Sequence, residues 1–304
     1  MFRLLAALTL ATTLAVHSED DRGRPVVLLV HGRGMLDHDT ATTRKMWLNA
    51  LASGGKTITS LPLLSERDIR VVWYADVLDP RSSAGCDYAA TDARARRNAT
   101  IDPDLKNLVA TVGSLLDMIT NVVAVADTES VSHLRALSAD ASFLADSRKR
   151  CASEQRLADA IDGARREGRP VILVAHSLGS LVAYDYLSAR SDTALVQRFI
   201  TIGSMVGATE LRQLLIGGDA SDTLVRPAGV KGWTNIRHES DLFATTISTG
   251  RNVIATPPAD EPDPHELVGY LRGSVTATEI LGSWCAAYGS TKPAGCAAVR
   301  QPPP

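Results

Sequence analysis

Two short runs are apolar at every position rather than at every second one: Val26 to Val30 and Val171 to Val174. Unbroken runs of this length, rich in β-branched residues, predict strands buried on both faces, as in a parallel sheet covered by helices. Ile69 to Tyr74, Val196 to Ser204 and Gly232 to Asp241 predict further strands, the last running into a loop. Between them the period lengthens. Thr40 to Ala52 reads as helical, Leu181, Val182, Tyr184 and Leu187 are spaced to share a helix face, and another helix is expected from Glu266.

The stretch from about Cys86 to Arg150 is longer than a simple connection and is expected to be an insertion. Within it Leu105, Leu108, Val112, Leu115, Ile119, Val122 and Ala126 recur at three- and four-residue steps, which predicts an amphipathic helix with a narrow apolar seam. Two roles stand open for it: a cap packed on the domain, or a lid whose apolar face meets lipid or an acyl chain. Asn98-Ala-Thr100 is a glycosylation sequon, relevant only to a eukaryotic source.

Arg3 followed by the apolar stretch Leu4 to Val16, with Val16 and Ser18 at the small-residue positions of a cleavage site, reads as a signal peptide over residues 1–18; an uncleaved anchor is the alternative. Residues 19–304 then form one α/β domain carrying the insertion at about 86–150, in a secreted or periplasmic protein. The chain is 45% hydrophobic and 22% charged with a net charge of −2, a globular profile without the basic bias of a nucleic-acid partner. Four cysteines behind an export signal, with no Cys-x-x-Cys or histidine cluster, point to two disulfides rather than a metal site. Of three pairings the expected one joins Cys285 to Cys296 across a Gly/Pro turn, and Cys86 to Cys151 across the insertion.

The chemistry is carried by Ala175-His-Ser-Leu-Gly179, placed between a strand and a helical segment. This is a nucleophile elbow of the G-x-S-x-G type with Ala at its first position; the turn lifts the Ser177 hydroxyl above the sheet at a helix N-terminus. Serine needs a base held by a carboxylate, in the chain order Ser, acid, His. Only His238 and His265 follow Ser177. His238 precedes the expected acid, so His265 is the candidate base. Asp241, at the end of a strand, is the preferred acid over Asp219, Asp222, Glu239 and Asp263. His31-Gly32, closing the first strand, corroborates the pattern, with His31 structural rather than catalytic.

These motifs resemble the α/β-hydrolase superfamily, in particular bacterial-type serine esterases and lipases with an Ala-His-Ser-x-Gly elbow; Trp233-Thr-Asn-Ile236 and His265-Glu-Leu-Val-Gly-Tyr-Leu271 also look like that group. The resemblance spans most of residues 25 to 285 outside the insertion. It implies a mostly parallel sheet of about eight strands flanked by helices, with Ser177 as nucleophile, Asp241 as orienting acid and His265 as base. It also implies an oxyanion hole from the backbone N–H groups of Arg33 and Leu178. Ala175 and Ser180 depart from the frequent glycines. The expected activity is hydrolysis of small-molecule or lipid carboxylic esters through an acyl-enzyme, without cofactor or metal and with transient contact to a lipid interface. Acyl transfer or thioester cleavage on the same residues, or a non-catalytic binding protein on the same fold, are the alternatives.

Overall fold

The computed structural model describes residues 21–79, 81–89, 142–190, 196–208, 224–256, 258–289 and 292–303. The leader, Asn98, the helix expected over Leu105 to Ala126, and the rival acids Asp219 and Asp222 lie outside them.

Six described strands build one sheet: β1 (Val26–Val30), β2 (Ile69–Val72), β3 (Val171–His176), β4 (Arg198–Ile202), β5 (Trp233–Arg237) and β6 (Arg251–Ile254). Their order is β2-β1-β3-β4-β5-β6, and every pair is parallel. The expected number was about eight, mostly parallel. β1, β3 and β4 are buried at every position, as their unbroken apolar runs require. β6 alternates between half-buried and exposed as an edge strand, and its Arg-Asn start left no apolar run to recognise.

Alternate side chains of each strand enter two cores. Val26, Leu28, Val30, Val171 and Leu173 face the helices α3 (Ser147–Arg166) and α4 (Leu178–Ser188). Val27, Leu29, Ile172 and Val174 face α1 (Thr40–Gly55), α5 (Leu267–Arg272) and α6 (Ser274–Ala286). A short helix, α2 (Ala75–Leu78), follows β2 and packs on α3. The result is a parallel sheet with helices on both faces, the α/β-hydrolase fold.

Two elements differ from expectation. α4 is buried on every side from Leu178 to Leu187 instead of along one face, because it is sandwiched between the sheet, where Tyr184 stacks near Trp233 of β5, and the segment between β4 and β5, where Tyr184 bonds the Val225 carbonyl. α3 begins at Ser147, inside the expected insertion, so the last residues of that segment belong to the domain body. Its Asp146 side chain caps the helix by accepting from Arg148 N–H at 2.9 Å. Both expected disulfides are present: Cys86–Cys151, which ties the start of the insertion to α3, and Cys285–Cys296, which ties α6 to the C-terminal turn. Disulfides fit an oxidising compartment. Among the described residues no helix is long and apolar enough to cross a membrane.

Candidate active site

The sheet order reverses between β1 and β3: the chain leaves β1 toward β2 and returns on the opposite side as β3. Open α/β sheets form their sites at the carboxyl ends of strands at such a point. The His31-Gly32-Arg33 loop follows β1 there, and Ser177 follows β3.

Ser177 has φ 49° and ψ −125°, and among the described residues it is the one non-glycine with positive φ. Strain of this kind costs on the order of 1–3 kcal/mol and survives only where the surroundings enforce it. They do so here through the Ser177 N–H, which donates to the Ile202 carbonyl of β4 at 3.0 Å, and through the start of α4 at Leu178. Gly179 makes the turn sterically feasible: a Cβ there would lie 2.3 Å from the His31 carbonyl oxygen. Ser180, in place of a second glycine, has its own task. Its hydroxyl donates to the Ser177 carbonyl at 2.5 Å and accepts from Ser204 at 2.7 Å, linking the elbow to the segment after β4.

His265 Nε2 lies 2.9 Å from Ser177 Oγ, and its Nδ1 lies 2.9 Å from both carboxylate oxygens of Asp241. With Asp241 accepting from Nδ1–H, Nε2 is left as the acceptor for the serine proton. Three residues far apart in sequence therefore form one continuous hydrogen-bonded relay. Ser177 is fully buried, whereas the His265 side chain is 15% exposed. Of the rival acids, Asp263 takes the main-chain N–H of His265 at 2.8 Å instead of the ring, and Glu239 is exposed. His238 sits just beyond β5 with its ring bonded locally to the Ser240 N–H.

Burial pushes the Asp241 carboxyl up, but hydrogen bonds and charge from His265, with further bonds from Tyr270 and the Phe243 N–H, outweigh it and hold the group below the usual carboxylate range. Its loop is anchored from beneath. Asn235 on β5 donates to the Thr245 carbonyl at 2.8 Å and to Asn252, and Thr201 donates to Asn235 at 2.8 Å. Thr245 itself donates from both N–H and hydroxyl to the Ser204 carbonyl. Asn235 and Ser180 stand within or beside the quoted motifs, but the bonds they make become visible only once the strands are aligned.

Two more histidines brace the site. His176, in the elbow itself, donates from Nε2 to the His265 carbonyl at 2.8 Å; burial and the neighbouring His265 lower its pKa to about 3, so it stays neutral. His31 is buried, stacks on Tyr74 with ring centroids 4.1 Å apart, and has its pKa lowered by burial to about 4. The loop it opens passes directly over Ser177, with the Gly32 backbone against it. Arg33 extends its guanidinium over Phe243 at 4.6 Å, and Phe243 in turn packs on the His265 ring at 4.7 Å. Leu178 holds the first position of α4, so its N–H has no acceptor within the helix. A relay of this geometry can remove a proton from the serine as its oxygen attacks an acyl carbon. Among the described residues no group of three His, Cys, Asp or Glu is placed to hold a metal ion.

No curated protein matches the chain. Residues 148–275 match the family model for lecithin:cholesterol acyltransferase, less than half of the chain. That span contains Ser177, Asp241 and His265. The chain thus has the α/β-hydrolase fold, and the portion that carries its candidate site is similar to the lecithin:cholesterol acyltransferase family.

Proposed function

We propose that this protein is a serine hydrolase that cleaves carboxylic esters, lipid esters included, through an acyl-enzyme. One observation carries the reading: the Ser177 hydroxyl, the His265 ring and the Asp241 carboxylate form an unbroken relay at 2.9 Å per step. His265 Nε2 takes the proton as Ser177 Oγ attacks the ester carbonyl, and Asp241 stabilises the imidazolium that forms. The developing oxyanion is received by the N–H groups of Leu178 and Arg33, the first favoured by the positive end of α4. His265 then returns the proton to the leaving alcohol. In the second half-reaction it activates water, which releases the acid.

A second reading on the same residues is acyl transfer, in which an alcohol replaces water at the acyl-enzyme. The similarity of residues 148–275 to an acyltransferase family favours keeping it. The leader-like start of the chain and the two disulfides support export to a secreted or periplasmic location.

The test is turnover of p-nitrophenyl esters by wild type and Ser177→Ala, together with labelling by a fluorophosphonate probe. The variant is expected to lose labelling and to fall to the small rate left by binding and the oxyanion hole. A Ser177→Ala protein as fast as wild type ends the proposal, and folded wild type that takes no label points to a non-catalytic binding protein. Product analysis with added alcohols separates hydrolysis from transfer.

A further inference from the structure

We propose that Tyr270 is a positioning residue for this reaction, setting the basicity of His265 through the hydrogen bond it gives to Asp241. The proposal rests on the reading of Ser177, His265 and Asp241 given above.

Tyr270 lies on α5, the helix that begins just after His265. It is completely buried. Its hydroxyl donates to Asp241 Oδ2 at 2.8 Å and accepts from the main-chain N–H of His238 at 2.7 Å. The direction of these bonds is fixed by chemistry. An amide N–H only donates, so the one phenolic hydrogen is directed to the carboxylate. Burial, reinforced by the charge of Asp241, raises the phenol's pKa and keeps that hydrogen in place. The segment that delivers the base therefore also delivers a donor to the acid, and the same oxygen clips the start of the acid loop at His238 to α5.

Among the described residues Asp241 accepts from three donors: the His265 ring, the Tyr270 hydroxyl and the Phe243 N–H at 2.9 Å. Each donor draws off part of the negative charge that the His265 imidazolium would otherwise meet. Without the tyrosine hydroxyl the carboxylate holds the imidazolium more strongly. The other charged and titratable groups around the relay are His176, with its ring 4.9 Å from His265, Asp263 at the His265 main chain, Arg33 through Phe243, His238, and Arg237 acting on Tyr270. All of them remain when only the hydroxyl is changed.

The experiment is the pH dependence of kcat/KM for ester hydrolysis by wild type, by Tyr270→Phe, and by protein carrying 3-fluorotyrosine at position 270. The acid limb is expected to move up by about half a pH unit or more in Tyr270→Phe, since a hydrogen bond to a charged group is lost. It is expected to move down with 3-fluorotyrosine, whose more acidic hydroxyl is the stronger donor. A structural role alone would lower stability and leave the limb where it is. Acid limbs identical to wild type in both proteins overturn the proposal; if Tyr270→Phe does not fold, an unmoved limb in the fluorotyrosine protein overturns it alone. A wild type without esterase activity, or an active Ser177→Ala, instead sinks the functional reading and this proposal with it.

Discussion

His31 donates from Nδ1 to the carbonyl oxygen of Gly32 at 2.6 Å, while its Nε2 accepts the main-chain N–H of Tyr74 at 3.1 Å. The second bond fixes the tautomer, and the first fixes the plane of the Gly32–Arg33 peptide. That peptide is trans, so the Arg33 N–H points away from the carbonyl that His31 holds. A buried histidine thus aims a proposed oxyanion donor. His31→Phe keeps a ring to stack on Tyr74 and removes both bonds. We expect kcat to fall about tenfold or more, short of the hundredfold or larger loss from deleting a donor outright, with KM little changed. Steady-state kinetics beside a thermal melt checks this; an unaltered kcat in a folded variant refutes it.

His31 and His176 also predict a response to acid. Both have folded pKa values, about 4 and about 3, below the ordinary value of 6.5. Below pH 6.5 the unfolded chain therefore takes up protons that the native state refuses. Their contribution is complete above pH 6.5 and is lost as pH falls toward 4, at up to about 1.4 kcal/mol per pH unit for each histidine. Urea unfolding at pH 7, 6 and 5 should show this slope, and His31→Asn with His176→Asn should flatten it. Equal slopes in the two proteins would show that other groups dominate.

The strained backbone of Ser177 predicts an inverted stability order. At most positions alanine is preferred to glycine, but φ 49° is open to glycine and costly for any side chain. Ser177→Gly should therefore be more stable than Ser177→Ala by about 1–2 kcal/mol, and both should be inactive. Chemical denaturation of the two variants decides it, and a more stable alanine variant would mean that the elbow is not strained.

Gly203 closes β4 with φ +55°, and a Cβ on it would lie 3.0 Å from Asp241 Oδ2 and 3.2 Å from the His265 ring. Gly203→Ala should cost about 1–3 kcal/mol and displace the acid–base pair, lowering kcat at least tenfold. Gly168→Ala is the control, because it has the same backbone hand at φ +69° and the nearest atoms to its Cβ belong to the flexible Arg22 side chain. It should lose stability while keeping kcat. Equal kinetic effects from the two would contradict the assignment.

What could be read from the chain followed from how each residue makes its contribution. β1 and β3 announce themselves because burial on both faces demands apolar residues throughout, and the elbow does so because its turn demands small neighbours. The three candidate residues are legible from the elbow motif and chain order: Ser177 in the turn, Asp241 beyond a strand, and His265 in the loop that opens the last helices. α3 stayed hidden because its core side includes Arg150, Ser153 and Glu154, which interrupt the apolar stripe. Arg150 is accommodated there by donating to the Phe143 carbonyl and facing Asp185. Tyr270, Ser180 and Asn235 each bond a partner that is distant in sequence (Asp241, Ser204 and Thr201), and no local pattern records such pairs.

The Cys86–Cys151 bridge has a consequence for how the sheet assembles. β1 and β2 can pair early, but their register with β3 waits until a strand about 100 residues beyond β2 is brought back to them. Closing so long a loop is the entropic toll that makes parallel sheets slow to form. The bridge spans 65 residues of that loop, and once formed it shortens the path the chain must search by well over half. The saving is about 1 kcal/mol in closure entropy at the step where β3 docks, small at equilibrium yet several-fold in rate. Refolding with the bridge intact should thus outpace refolding from the reduced chain, because the oxidised chain already brings α3, and β3 close behind it, toward the first two strands.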